Sequence, residues 1–258
     1  RPISIKVPKG CLANPIFPAP VIARFTPGNQ LADTVMKALA QAVPNQVSAG
    51  IGNLKVIAFS GLKEESHWVH MEIFEGSYGG RLNKNGMDAV DTLYANTRNN
   101  PIEDIESHLP MRVTKYELRE DTSGAGRTRG GLGACRAFQF LEDGGFSVEG
   151  EGHKFEPWGF KGGNDGKTAE LHLIHNDGKL EKLTSKVPYH KTKKGDTFLA
   201  IGPSAGGYGN AFERDPQDVY EDFLDEILSS KSAERDYGVI ISKDKLDLKA
   251  TKKRRKNV

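Results

Sequence analysis

The sequence predicts an α+β fold, with a β-rich, mainly antiparallel sheet region over about 112–201 and flanking helices. Three observations carry this. Apolar and polar residues alternate in RVTKYELRE and again in CRAFQFLED, the period-2 pattern of half-buried strands. Asn-Asp-Gly occurs at 164–166 and at 176–178, and each is a strong turn signal. Apolar residues at helical spacing lie outside this region, at 30–43 and after Asp215.

The elements follow in order. Ile3, Ile5 and Val7 alternate and predict an opening strand. Pro8, Pro15, Pro18, Pro20 and Pro27 punctuate the residues after it, and proline disfavours helix at the residue before it, so an ordered arm is expected up to residue 29. Leu31, Val35, Ala38, Leu39 and Ala42 recur at helical spacing ahead of Pro44, which predicts a helix over 30–43. Residues 54–60 and 68–74 read as strands, EGSYGGRLNKNG (75–86) as a loop, and 87–97 as a helix carrying Ala89, Val90, Leu93 and Tyr94. Pro101 suits the first turn of a short helix, IEDIESHL. AELHLIHNDGKLEKLT reads as a hairpin and GDTFLAIG (195–202) as a last strand.

Asp215 then caps a helix with Pro216 in its first turn and Val219, Phe223, Ile227 and Leu228 on its apolar face. A second short helix is expected at 233–237, and the basic tail KKRRKN (252–257) is expected to be mobile. The chain thus divides into a mixed α/β segment (1–110), a β-rich glycine-loop region with C-terminal helices (111–240) and the basic tail (241–258).

Composition narrows the function classes. Lys and Arg number 36 against 34 Asp and Glu, and this near balance argues against nucleic acid or an anionic membrane as partner. No apolar run approaches the ~18–20 residues that span a bilayer, and no secretory h-region opens the chain. Cys11 and Cys135 stand apart without a CxxC pair, which reads as two reduced thiols in a cytosolic protein. The chain opens on Arg1 rather than Met, which reads as a trimmed or cleaved start.

Motifs for the commonest chemistries are missing. KGGNDGKT (161–168) is one residue short of phosphate-loop spacing and runs into a strand rather than a helix. GAGRTRGGLG (124–133) has Arg129 where a dinucleotide fingerprint needs its third Gly. His67 with His70 and His172 with His175 do not make a metal set, and neither G-x-S-x-G nor H-E-x-x-H occurs.

Glycine is enriched, at 29 of 258 residues. It concentrates in loops at 75–86, 122–133 and 202–210. Glu75 and Arg81 stand in or beside the first loop, and Asp121, Arg127 and Arg129 in or beside the second. Glycines let a backbone approach a ligand closely, and arginines among them can hold an anion. Tight turns and contacts between polypeptides are the competing reading. The 121–133 segment has too little apolar content to order itself, so order is expected from a partner.

Taken in order, these segments resemble one family. VPKGCLANPIFPAPVIAR (7–24), PIEDIESHLP (101–110), YELREDTSGAGRTRGGLGACR (116–136), PWGFKGGNDG (157–166) and ERDPQDVYEDFLDEILSSKSAERDYGV (213–239) look like successive blocks of the hydantoinase B/oxoprolinase family. That family includes B-type subunits of ATP-dependent hydantoinases and lactamases, half of 5-oxoprolinase, and subunits of acetone and acetophenone carboxylases. The likeness runs from residue 1 to about 255, along only the C-terminal half of a typical family member. The N-D-P-x-x-G-G-x-H block of the other half has no counterpart. Three loops depart from the family pattern, at Asp121-Thr122-Ser123-Gly124, at Asn85-Gly86 and at Ser204-Ala205-Gly206-Gly207-Tyr208-Gly209-Asn210-Ala211, where Asn210 replaces an acid.

The resemblance implies ATP-dependent hydrolysis of a cyclic amide of hydantoin, oxoproline or lactam type. The chain would be inactive alone. It would act with a hydantoinase A-like subunit that binds ATP with Mg and with a polypeptide carrying the N-terminal half, where any divalent metal would sit. A ketone carboxylase subunit is the alternative, and a non-catalytic scaffold the third reading. Glu75 and Asp121 are the candidate catalytic residues. Arg127, Arg129 and Arg136 are candidates for anion binding or an interface. No residue is expected to ligate a metal.

Overall fold

The structure, a computed structural model, describes residues 4–21 and 23–256. Helix α1 (Phe25–Leu39) comes first, then the hairpin β1 (Lys55–Lys63) and β2 (Ser66–Phe74), then α2 (Ile102–His108). Seven strands follow: β3 (Met111–Leu118), β4 (Ala134–Phe140), β5 (Gly144–Gly150), β6 (Glu170–Ile174), β7 (Leu180–Lys182), β8 (Lys186–Thr192) and β9 (Thr197–Ile201). The chain closes with α3 (Pro216–Leu224), α4 (Ser230–Tyr237), the short pair β10 (Ile241–Ser242) and β11 (Lys245–Leu246), and α5 (Leu248–Lys256).

The strands form two sheets, in the orders β2-β1-β5-β8 and β3-β4-β9-β6-β7. Every pairing in them is antiparallel. Alternation turns Ile57 and Phe59 of β1, Phe138 and Phe140 of β4, Phe146 of β5 and Phe198 of β9 into one shared core. There Phe59 lies 5.1 Å from Phe138, and Phe146 lies 4.6 Å from Phe198, centroid to centroid. The α+β expectation and the antiparallel region thus hold, and the earlier β1–β2 hairpin supplies half of one sheet. The β6–β7 hairpin turns at Gly178, whose φ of +86° is the left-handed conformation a glycine adopts without strain.

Several expectations need correction. Residues 4–7 form no strand, and Ile3 lies outside the described residues. Helix α1 starts five residues and ends four residues ahead of the expected one, and Pro27 fits inside its first turn, where no backbone donor is needed. The Asn-Asp-Gly at 164–166 sits in a loop rather than a hairpin, with Asp165 accepting the Gly159 N–H at 2.6 Å. Residues 87–97 are not helical. Their donors are drawn to distant partners: Ala89 to the Leu132 carbonyl, Val90 to the Gly76 carbonyl, Leu93 to the Tyr78 hydroxyl and Tyr94 to the Asn29 side chain. Ala89 and Leu93 sit at positive φ, which a helix does not allow. The segment 252–256, expected to be mobile, is part of α5, and Arg255 donates to the Tyr237 carbonyl at 2.9 Å.

The Asp215 cap is as expected, its carboxylate accepting the Gln217 N–H at 2.9 Å with Pro216 next. Helix α3 ends at Leu224, so Ile227 and Leu228 fall beyond it.

Candidate functional site

The three glycine-rich loops, together with the 157–166 loop, lock into one another backbone to backbone. Gly80 donates to the Gly206 carbonyl at 2.9 Å, Gly124 to Ala205 at 2.9 Å, and Gly207 to Asn164 at 2.9 Å. Thr128 and Tyr208 exchange both of their backbone bonds. A side chain at Gly163 would put its Cβ 2.2 Å from the Gly207 oxygen, and one at Gly130 would come within 2.0 Å of the Ala205 oxygen. The glycines therefore serve close loop-to-loop approach, and their amides face other loops rather than an open anion site.

Two of the arginines take part in this internal tie. Arg129 is buried and forks onto Asp88, with Nη1 2.7 Å from Oδ1 and Nη2 3.0 Å from Oδ2. Its Nε donates to Asp222 at 3.3 Å, and Arg214 donates to the other oxygen of Asp222 at 2.7 Å. Burial pushes the Asp222 carboxyl up in pKa, against the pull of Arg214 and Arg129. Arg127 donates to the Leu82 carbonyl at 2.7 Å. The 121–133 segment thus gains order from this chain's own residues, in contrast to the expected dependence on a partner.

Asp121 sits at φ +61° and accepts the Ser229 N–H at 2.7 Å, which joins its loop to the start of α4. It also lines a polar groove with Ser123, Asn164, Lys167, Arg235 and Asp236.

Glu75 and Arg136 belong to a different network, at the seam between the two sheets. Arg136 is fully buried, with its guanidinium 4.7 Å from the rings of Phe74 and Tyr116 and 5.1 Å from that of Phe138. Its Nη1 donates to Glu72 Oε2 at 3.0 Å and lies 3.7 Å from Glu75 Oε1. The Tyr116 hydroxyl donates to Glu75 Oε1 at 2.8 Å, and His70 Nε2 sits 2.9 Å from Glu72 Oε1. Lys55, at the start of β1 opposite Phe74, is also fully buried.

Four polar atoms of this cluster have no protein hydrogen-bond partner: Lys55 Nζ, Glu75 Oε2, and Arg136 Nε and Nη2. Burial without partners works against charge on Lys55 and Glu75. Burial, reinforced by Arg119, brings the Lys55 ammonium down to about 7. Burial raises the Glu75 carboxyl, against Arg136 and the Tyr116 hydrogen bond. Burial and the neighbouring Glu75 push the Tyr116 phenol up to about 12. The cluster therefore holds a buried amine and a buried carboxyl that are both shifted toward their neutral forms.

Of the candidate residues, the structure brings Glu75 and Arg136 together. Asp121, Arg127 and Arg129 lie in other networks. Lys55, Glu72 and Tyr116 were missed, although strand parity marks the first two. Lys55 shares a face with the core residues Ile57 and Phe59, and Glu72 with Phe74. Among the described residues, no group of three or more His, Cys, Asp or Glu is placed to hold a metal. No helix among them is long and apolar enough to cross a membrane.

A family model described as hydantoinase B/oxoprolinase matches residues 1–211. Over 258 residues the chain is 56% identical to a putative B-type D-/L-hydantoinase subunit of Pseudomonas sp. (strain NS671), covering 99% of this chain and 44% of that relative. It is 30% identical to the beta-type subunit of a caprolactamase of Pseudomonas jessenii, covering 91% of this chain and 42% of that relative. The crystal structure of the ATP-dependent caprolactamase from Pseudomonas jessenii matches with a TM-score of 0.84 at 26% identity, over 98% of this chain and 46% of that one. A nucleotide-free acetone carboxylase structure shares the fold, with a TM-score of 0.69 at 14% identity over 85% of this chain and 34% of that one. The chain thus spans less than half the length of these relatives.

Proposed function

The chain belongs to the hydantoinase B/oxoprolinase family, and from that premise we propose that it is part of an ATP-dependent enzyme that opens a cyclic amide by hydrolysis. The 56% identity to a putative B-type hydantoinase subunit, sustained along nearly the whole chain, carries this reading. Two relatives that cover at least 91% of the chain are named as a putative hydantoinase subunit and a caprolactamase subunit, names that refer to cyclic amides. An amide carbonyl is a poor electrophile, and ATP, bound with Mg on an A-type partner, would supply the activation that water alone lacks. Any divalent metal would sit on the polypeptide that accounts for the rest of the family's length.

In this reading Glu75 is the catalytic candidate of this chain. Its Oε2 is the carboxyl oxygen without a protein partner, and Tyr116 and Arg136 fix the other oxygen. Arg136 orients Glu75 and offsets its charge. Asp121 is the weaker candidate, since Ser229 already engages it.

Reconstitution with an A-type partner and the remaining family segment tests the proposal. ATP-dependent loss of a hydantoin, 5-oxoproline or a lactam is expected, with no turnover and no ATP hydrolysis by this chain alone. Glu75→Gln, nearly isosteric, should cut turnover at least tenfold and leave the melting temperature unchanged. Ketone consumption that depends on bicarbonate would point to a carboxylase. Full activity without this chain's Glu75 carboxyl would leave the chain a scaffold.

A further inference from the structure

Helix α1 is built inside out. Its inward stripe is polar: Thr26, Asn29 and Asp33 are buried. Hydrogen bonds hold that stripe in place. Asn29 accepts the Tyr94 N–H at 2.7 Å, Asp33 accepts the Trp158 indole N–H at 2.8 Å and the Ile51 N–H at 3.3 Å, and the Thr26 carbonyl accepts from Asn53 at 2.8 Å. The helix cannot roll over to bury its apolar side without breaking these bonds. Leu31, Val35 and Leu39 therefore point outward, 55%, 51% and 45% exposed. The outward side of α1 carries no charged residue: Asp33, the helix's one acid, is buried, and Lys37, its one basic residue, sits over the Trp158 ring at 5.3 Å. A helix that ended at solvent would set charges there.

The arm before α1 repeats the pattern. Leu12 is 90% exposed and Phe17 93%, with Ile5, Ile16 and Val21 also exposed. The hydrogen bonds found within residues 4–21 stay inside the arm, between Gly10 and Asn14, Asn14 and Cys11, and Asn14 and Val7. More than half the length of the hydantoinase relative and of the matched caprolactamase chain lies outside the part this chain covers.

We propose that the outward face of α1, together with the arm, is the surface on which the remaining segment of the family's length docks, through a complementary apolar, charge-poor surface. This rests on family membership and gives the proposed assembly a specific seam. A basic partner would find no acid on α1's outward side. A second copy of the chain is the competing occupant, and the test reads it out as a homodimer.

The test titrates this chain against the remaining segment of the Pseudomonas sp. relative, expressed separately. Leu31→Asp/Val35→Asp should weaken association at least tenfold while circular dichroism and melting temperature stay at wild-type values. Phe17→Ser, outside the helix, should weaken it as well. Leu248→Asp, exposed on α5, should bind as wild type does. Undiminished binding by both the α1 and the arm variants would overturn the proposal. So would a homodimer of the isolated chain that Leu31→Asp/Val35→Asp dissolves, or no association between wild-type chain and segment. Assembly with the A-type partner and turnover are read separately. Docking without turnover would count against the functional reading alone, and turnover with intact docking in the variants against the seam alone.

Discussion

Arg129, in the 122–133 loop, and Asp88 form a two-pronged ion pair, with nitrogens 2.7 and 3.0 Å from the two carboxylate oxygens. Asp88 also accepts the Leu132 N–H at 2.7 Å, so the same pair shapes the loop's backbone. Arg129→Ala would leave both Asp88 and Asp222 without this partner. A loss of about 3–5 kcal/mol of folding stability is expected, the usual cost of breaking a buried pair. Arg129→Lys should recover only part of it, because an ammonium cannot match the planar fork. Urea denaturation of the isolated chain checks both. Equal midpoints for wild type and Arg129→Ala would place the residue's role elsewhere.

Lys55 predicts a pH dependence. Its folded pKa, about 7, lies below the unfolded value of 10.5. Between these values the unfolded chain holds more protons, so stability rises with pH, by up to about 1.4 kcal/mol per pH unit. Below pH 7 the full burial penalty applies, and above 10.5 it is gone. Lys55→Met should therefore stabilise the chain most at about pH 6–7 and progressively less toward about pH 10. Denaturation midpoints of both proteins across that range give the comparison, and a constant offset would contradict the assignment.

Two glycines should behave differently. A Cβ at Gly76 would meet the Gly52 carbonyl oxygen at 1.8 Å. Gly76→Ala should cost more than about 4 kcal/mol, in the range reserved for severe disruption. At Gly178 nothing lies within 4 Å of an added Cβ, and only its positive φ resists. Gly178→Ala should cost roughly 1–2 kcal/mol. Thermal melts of the two variants, side by side, test the ranking.

Asn210 accepts the Phe212 N–H at 3.0 Å and caps a short turn at Ala211–Glu213. Asn and Asp cap about equally well, so Asn210→Asp should leave stability within about 0.5 kcal/mol, while Asn210→Ala should cost about 1 kcal/mol. If Asn210→Asp raised turnover of the reconstituted enzyme, the carboxylate that the family pattern places there would have a chemical use as well as a structural one.

The sheets were legible because alternation is a local signal. Phe138 and Phe140 announce a buried face whatever packs on it. The same parity assigns Arg136 to that face, although a charged residue is usually taken to point outward. The β1–β2 turn escaped notice because Glu64 and Glu65, at φ 50° and 68°, occupy conformations that glycine or asparagine usually signals. Residues 87–97 have helical apolar spacing, but Asp88, Leu93 and Tyr94 are claimed by partners far away in the chain, and no local pattern encodes that. Spacing located α1 but not its orientation, which the buried hydrogen bonds of Asn29 and Asp33 set against the apolar stripe.

The interlocked glycine loops should also leave a mark in time. The amides of Gly80, Gly124, Gly206 and Gly207 each reach a carbonyl on a loop remote in sequence. Deuterium from solvent can replace any one of these protons only when its loop parts from a neighbour, and each neighbour is itself held by a third. Exchange at the four amides is then expected to run at one shared rate, set by a single opening of the whole knot. Segments that look like four separate flexible turns in the sequence would keep time as one.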